Sequence, residues 1–204
     1  MLYLTPSVIR FASSYTSPLL RSRQLPNSYP VVMQNLASYI RTIPDFPKPG
    51  IQFKDITTLM KDPVAMQQAT EQLIALADGS VDKVVGIEAR GFFFGPLLAD
   101  RLSIGFIPIR KSGKLPAPTE EASYALEYGT DQLAIHQDAI EPGERILVHD
   151  DLLATGGTAQ AACELVERLG GEVAQVVFLV ELSFLNGRER LSKYPVQAAV
   201  CYDD

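Results

Sequence analysis

The stretch Ile146-Leu-Val-His149-Asp-Asp151-Leu-Leu-Ala154-Thr-Gly-Gly157-Thr158-Ala159 decides how the chain is read. An apolar run with the pattern of a buried strand ends in two adjacent carboxylates, Asp150 and Asp151. A loop of glycines and hydroxyls follows. A helical period then sets in, with Ala162, Leu165, Val166 and Leu169 on one face and Gly170-Gly171 as its terminator. Gly156 and Gly157 let the backbone approach an anion closely, and successive amides at a helix start form a nest for it. Thr155 and Thr158 add hydroxyl donors, so residues 154–158 suit a phosphate monoester. The acidic pair asks for more than phosphate. Adjacent carboxylates repel each other and cost stability unless something satisfies them. Ribose hydroxyls, helped by a magnesium ion, would do so, and the combination calls for a 5-phosphorylated ribose.

Upstream and downstream, apolar runs of strand length alternate with helical patterns. Residues 81–87 read as a buried strand, 92–102 as an apolar helix, 106–109 as a short strand and 173–180 as a last strong strand. Asp62 and Pro63 open a further helix as N-cap and first residue, with Met66, Ala69, Leu73 and Ala77 as its buried stripe and Gly79 at its end. A short helix through Leu36, Tyr39 and Ile40 precedes it. This alternation predicts an α/β fold with a central, mostly parallel sheet flanked by helices. In such folds the ligand lies at the carboxyl ends of the strands. Glu88-Ala-Arg90, Arg110-Lys111 and Asp150-Asp151 each come directly after a predicted strand, which points to one shared site. Arg90, Lys111 and Lys114 would supply positive charge there for a second, larger anion.

Two segments lack a period. Ile43-Pro-Asp-Phe-Pro-Lys-Pro-Gly50-Ile-Gln-Phe-Lys-Asp55 carries three prolines and a glycine in its first eight positions. Regular structure is not expected of it. It reads either as a rigid connector or as a stiff loop presenting backbone donors and the Phe53 ring to a planar ligand. Residues 115–131 hold Pro116, Pro118, Gly129 and the pair Glu127-Tyr128, and are expected to form a functional lid loop. Residues 133–140 suit a hairpin arm, with His136 at its surface.

Composition narrows the class. With 47% hydrophobic and 21% charged residues the chain is an ordinary globular protein. A net charge of -6 argues against a nucleic-acid backbone as partner, so any anion must be held by a local site. No run approaches the ~18 apolar residues of a membrane span. Only Cys163 and Cys201 occur, without a CxxC or a histidine cluster, which disfavours structural zinc and disulfides and fits a reducing compartment. Cys163 reads as a small buried residue of a helix. Residues 1–32 stand apart, with Arg10, Arg21, Arg23, many serines and no Asp or Glu. That is transit-peptide composition, yet the segment has little amphipathic order. It is read as a tail or upstream-start extension, with Met33 opening the domain of residues 33–204. GxxxxGK[ST] and GxGxxG are both absent, which excludes a P-loop NTPase and a dinucleotide dehydrogenase.

The acidic pair with its glycine-threonine loop resembles the sugar-pyrophosphate motif of the type I phosphoribosyltransferases. Four more segments extend the resemblance over residues 33–202: Ile43-Pro-Asp-Phe-Pro-Lys-Pro-Gly-Ile51, Gly86-Ile-Glu-Ala-Arg-Gly-Phe92, Arg110-Lys-Ser-Gly-Lys-Leu-Pro116 and Ser123-Tyr-Ala-Leu-Glu-Tyr-Gly129. Together they are similar to the adenine-using branch of that family. The resemblance implies a parallel-sheet fold with a small hood and a flexible lid, a homodimer, and a cytoplasmic setting. The implied reaction converts adenine and phosphoribosyl pyrophosphate to AMP and pyrophosphate with magnesium.

Asp150 and Asp151 would hold the ribose, and Ala154, Thr155, Gly156, Gly157 and Thr158 the 5-phosphate. Arg90, Lys111 and Lys114 would face the pyrophosphate. The loop at Phe53 and Lys54 would hold the base, by the Phe53 ring and nearby main chain. Glu127 would be the acid assisting the purine, with Tyr128 beside it. No protein cage for a metal is implied, since magnesium would arrive on the sugar pyrophosphate. Two positions depart from the family pattern. His149 stands where an apolar residue is usual and reads as a satisfied strand-end histidine, and Ala89 often corresponds to a hydroxyl residue. A transferase for hypoxanthine or xanthine, and a non-catalytic sensor of the same fold, are the alternatives. Spacing in residues 46–54 does not decode the base.

Overall fold

The computed structural model describes residues 35–77, 80–125 and 130–203. The readings of residues 1–32, Gly79, Glu127 and Tyr128 fall outside those limits. Seven strands form the central sheet: β3 (Lys83–Ile87), β4 (Gly105–Lys111), β5 (Thr119–Ala125), β6 (Thr130–His136), β7 (Arg145–Leu153), β8 (Glu172–Leu182) and β9 (Val196–Tyr202). Their order is β5-β6-β4-β3-β7-β8-β9. From β4 to β9 all neighbours are parallel, and β5 and β6 add an antiparallel arm at the β4 edge.

Strands buried on both faces explain the continuous apolar runs. Val85, Ile146, Val148, Val176 and Phe178 point into one core with Ala162, Leu165 and Val166 of α4 (Gly157–Arg168). Their neighbours Val84, Leu147, Val177 and Leu179 point into the other, with Leu73 of α2 (Pro63–Leu76) and Phe94 and Leu98 of α3 (Gly91–Leu102). Each fully buried side chain of this size contributes about 1.5–3 kcal/mol before entropy is counted. Asp62 caps α2 as its type predicts, accepting from the amides of Val64 at 2.9 Å and Ala65 at 3.0 Å. The buried stripe of α2 is Ala65, Ala69, Thr70 and Leu73, while Met66 and Ala77 are only partly covered. Cys163 is fully buried on α4, and burial pushes its thiol up to about 12.

Three expectations change. The proline-rich segment is regular at both ends: β1 (Arg41–Pro44) and β2 (Gln52–Asp55) pair antiparallel, with residues 45–51 as the turn. A two-stranded ribbon is all edge, so Pro44 can sit in it without breaking a ladder. Residues 115–131 are not a structureless loop, because β5 runs to Ala125 and β6 starts at Thr130. Finally, the basic and acidic clusters after β4 and β7 lie inside those strands. The long β8 carries pairing with β7 through Leu152↔Val180 and Leu153↔Glu181, past the acidic pair.

Beyond Met60, which ends a single turn α1 (Thr57–Met60), and the single turn α5 (Gly187–Arg190), α2, α3 and α4 do the covering. No described helix is long and apolar enough to cross a membrane. What positions the site is the divergence of α3 and α4. β3 and β7 are adjacent and parallel, but their following helices pack on opposite faces of the sheet. The two strand ends therefore flank a crevice, the usual ligand position in open α/β sheets.

Candidate active site

Arg90, in the last turn before α3, reaches across this crevice, its Nε 3.2 Å from Oδ2 of Asp151 on β7. Asp151 is 2% exposed, and that oxygen is buried without a hydrogen bond, so the contact is an ion pair of poor donor geometry. Asp150 accepts the Asp151 amide at 2.8 Å through Oδ1. Burial first, and then the charge of Asp151, push the Asp150 carboxyl well above the usual carboxylate range. Burial also raises Asp151, against the pull of Arg90. Asp151 is buried and incompletely satisfied, while Asp150 beside it is partly exposed and lines a cavity shared with the glycine loop.

The glycine loop follows directly. Gly156, with φ +82, turns the chain into α4, and no side chain caps the helix. The amides of the first turn have no intrahelical partner by construction. Arg90, Asp150 and residues 154–159 line one cavity of about 150 Å³. The glycine loop, one carboxylate of the acidic pair and one cation thus share a single wall. Gly91 makes the approach possible: a Cβ there would come 2.8 Å from the His149 carbonyl oxygen, so only glycine lets α3 start so close to β7.

Arg90 has a second neighbour. Its guanidinium lies over the Phe53 ring, 5.4 Å from the centroid, and Phe46 meets the same ring edge-on at 5.2 Å. The aromatic platform of β2 is thereby one side chain from the acidic pair. Lys54 goes elsewhere, its ammonium 3.2 Å from Thr42 Oγ1 and 4.1 Å from the Tyr202 ring centroid. Only the main chain of Lys54 is left free of that engagement.

The cations of β4 divide. Arg110 forks onto Glu88, Nε to Oε2 at 3.2 Å and Nη2 to Oε1 at 3.0 Å, and the Lys111 amide donates to the same carboxylate at 2.9 Å. Arg110 holds the Glu88 carboxyl below its usual range. This fork ties the ends of β3 and β4 together. Lys111 instead pairs with Asp131 on β6 at 3.0 Å, and Lys114 is exposed in the following turn. Neither lysine lines the 150 Å³ cavity.

His149 corrects its reading. It is 0% exposed within β7 and only half satisfied: Nδ1–H donates to the Val177 carbonyl at 2.9 Å, while Nε2 is buried without a partner. Burial depresses its pKa to about 4. His136 is half-buried at the end of β6, its Nε2 also buried and unpartnered, not a free surface residue.

The profile of the phosphoribosyl transferase domain matches residues 55–201, taking in Arg90, the acidic pair and the glycine loop. The chain belongs to the phosphoribosyl transferase family. The adenine phosphoribosyltransferase of Flavobacterium johnsoniae is 58% identical over 168 residues, covering 82% of this chain and 99% of its own. The crystal structure of the adenine phosphoribosyltransferase of Thermoanaerobacter pseudethanolicus shares 50% identity at TM-score 0.81, over 83% of this chain and 99% of that one. That of Saccharomyces cerevisiae, complexed with an imino-altritol bisphosphate and adenine, shares 40% identity at TM-score 0.76, over 80% and 96%. The resemblance read from five motifs therefore holds across the fold. In this phosphoribosyl transferase, sequence reasoning missed Asp131 and the Glu88–Arg110 fork. Residues 133–140 had suggested one half of the arm, and only an alternation in β5, with Ala122 buried between exposed Glu121 and Ser123, could have revealed the other.

Proposed function

We propose that this phosphoribosyl transferase moves the 5-phosphoribosyl group from phosphoribosyl pyrophosphate to adenine, yielding AMP and pyrophosphate in purine salvage. The anomeric bond to pyrophosphate breaks, a bond to the purine ring nitrogen forms, and that nitrogen loses its proton. The observation that carries the reading is the span of Arg90 between Asp151, at 3.2 Å, and the Phe53 ring, at 5.4 Å. It sets an aromatic platform for a planar base beside carboxylates suited to ribose hydroxyls and a loop suited to phosphate.

Asp150 and Asp151 orient the ribose through its hydroxyls. The amides of residues 154–158 and the hydroxyls of Thr155 and Thr158 hold the 5-phosphate. Arg90, Lys111 and Lys114 face the departing pyrophosphate, for which Lys111 must leave Asp131. Phe53 and the main chain at Lys54 hold adenine, and Glu127 with Tyr128 assists its ring. Displacement passes through an oxocarbenium-like state, so positioning and charge stabilisation carry most of the catalysis. Among the described residues no three metal-binding side chains gather, while the buried Oδ2 of Asp151 lacks a hydrogen bond. That donor set fits magnesium carried in on pyrophosphate oxygens and met by one or two protein carboxylates. Bound so, the ion would neutralise charge on the leaving group.

The catalytic domain comprises residues 33–204, works as a homodimer, and belongs in the cytoplasm. Spectrophotometric assays with adenine, hypoxanthine, xanthine and guanine, each with the activated sugar and magnesium, test the reading. Turnover of adenine above the other bases is expected, and absence of adenine turnover would sink it.

A further inference from the structure

The glycine loop has a second face, and the single turn α5 packs on it. Two glycines make that packing possible. A Cβ at Gly156 would come 2.5 Å from the Gly187 carbonyl oxygen. A Cβ at Gly187 would collide with the Ala154 carbonyl oxygen and come 2.8 Å from Leu153 Cδ1. The two backbones therefore meet with no side chain between them. Gly187 is buried and does not line the 150 Å³ cavity, so α5 supports the loop from outside the ligand space.

A four-residue turn cannot hold itself in place. Arg188 does so through all three of its nitrogens. Nε and Nη2 fork onto Glu181 at 2.6 Å each, and Nη1 donates to the Val196 carbonyl at 2.8 Å. The turn is thereby pinned to β8 and to the first residue of β9, in orientation as well as position. Glu181 is 3% exposed and is the register partner of Leu153, the last residue of β7. Leu191, fully buried directly after the turn, packs in the same core as Leu153. A closed circuit results. Leu153 pairs with Glu181, Glu181 takes Arg188, and Gly187 beside Arg188 presses on Leu153 and Ala154, where the loop begins.

The circuit matters because the loop is aimed by its backbone. Gly156 takes φ +82 and no side chain caps α4. A nest of amides binds an anion only while the amides converge, and an error of about 0.5 Å misaims them. We propose that Arg188 and Gly187 are positioning residues of the 5-phosphate subsite. Arg188, clamped on Glu181, holds the Gly187 backbone against Ala154 and Gly156 and so keeps the loop amides converged on phosphate. The inference rests on the phosphoribosyl reading of residues 154–158 but not on the identity of the base.

The test is calorimetric binding of ribose 5-phosphate to the full chain, at a temperature where wild type and variants are folded. Arg188→Ala removes the clamp. Gly187→Ala keeps the clamp and pushes the loop directly. Leu73→Ala loosens the fold from the opposite core, where Leu73 is 0% exposed, without touching the circuit. The first two should each weaken binding about tenfold, the worth of one charge-assisted hydrogen bond, and Leu73→Ala should bind as the wild type does. In turnover, Arg188→Ala should raise KM for the activated sugar by a similar factor and leave KM for the base in place. Unchanged binding by Arg188→Ala overturns the inference, as does an equal loss in Leu73→Ala, which is what a general loosening of the fold would give. Should Arg188→Ala fail to fold, Gly187→Ala decides alone, and unchanged binding by it is equally fatal. Failure of the wild type to bind ribose 5-phosphate would overturn the phosphoribosyl reading itself.

Discussion

His149→Val should make the protein more resistant to acid. The imidazole is 0% exposed in β7, donates through Nδ1 to Val177 and leaves Nε2 unpartnered. Burial lowers its pKa from 6.5 to about 4. Between those values the unfolded chain binds a proton that the folded chain refuses, so stability falls as pH falls through that window. Above pH ~6.5 both states are neutral and the residue contributes no pH dependence; below pH ~4 both are charged and the loss is complete. At about pH 5 the unfolded histidine is almost fully protonated and the folded one hardly at all, which amounts to about 2 kcal/mol. Near pH 7.5 the substitution removes one hydrogen bond and one unsatisfied acceptor, two effects of about 1 kcal/mol and opposite sign. Urea unfolding of both proteins at about pH 7.5 and about pH 5 isolates the histidine, because every other titrating group is common to them. The wild type should lose about 2 kcal/mol more than the variant over that interval. Parallel pH dependences would refute the reasoning and mean that water or a shifted strand solvates the ring.

Gly156→Ala should destabilise by about 1–3 kcal/mol, since alanine must take φ +82 and place its Cβ 2.5 Å from the Gly187 carbonyl oxygen. Thermal unfolding measures the first effect, and weakened ribose 5-phosphate binding the accompanying distortion of the loop. Arg188→Ala strips Glu181, which is 3% exposed, of both its 2.6 Å contacts. A loss of about 2–3 kcal/mol is expected, below the full worth of a buried pair because Arg188 itself is half exposed, with KM for adenine unchanged. Glu127→Gln should lose most turnover while still binding AMP, and unaltered turnover would remove Glu127 from its role.

Much of the sheet was legible because strands buried on both faces leave uninterrupted apolar runs, as residues 81–87 and 173–180 do. Of the arm, residues 133–140 suggested the β6 half, but β5 was not legible, because its information is an alternation of one residue. Ala122 faces the core between Glu121 and Ser123, and the prolines at 116 and 118 mask it. The β1–β2 ribbon was hidden by Pro44, Pro47 and Pro49, whose propensity argues against a strand even where an edge tolerates it. β9 passed unnoticed for a related reason: at the sheet edge, Val196, Ala198 and Ala199 are only partly buried. In the site, Asp150, Asp151 and the glycine loop are contiguous and could be read together. The contact of Arg90 with Asp151, and of Lys111 with Asp131, joins segments that only the strand order makes neighbours. No local pattern records which cation meets which acid.

The distribution of satisfied and unsatisfied charge separates acids that the protein completes by itself from acids that it leaves open. Asp55, 7% exposed, accepts Arg41 and the Thr57 amide, and the Arg41 hydrogen bond leads in holding its carboxyl down to about 2. Glu181 is gripped by both arms of Arg188. These two are finished by the protein alone, as buried charges ordinarily are. At the end of β7 the opposite holds: Asp150 and Asp151 are driven above the usual range, and one oxygen of Asp151 has no hydrogen bond. A fold able to complete two buried carboxylates elsewhere leaves acceptor oxygens of this pair open beside an uncapped helix start, as the proposed binding of ribose hydroxyls requires. Whatever supplies hydroxyl donors there gains the stabilisation that the protein forgoes, and gains it only when bound.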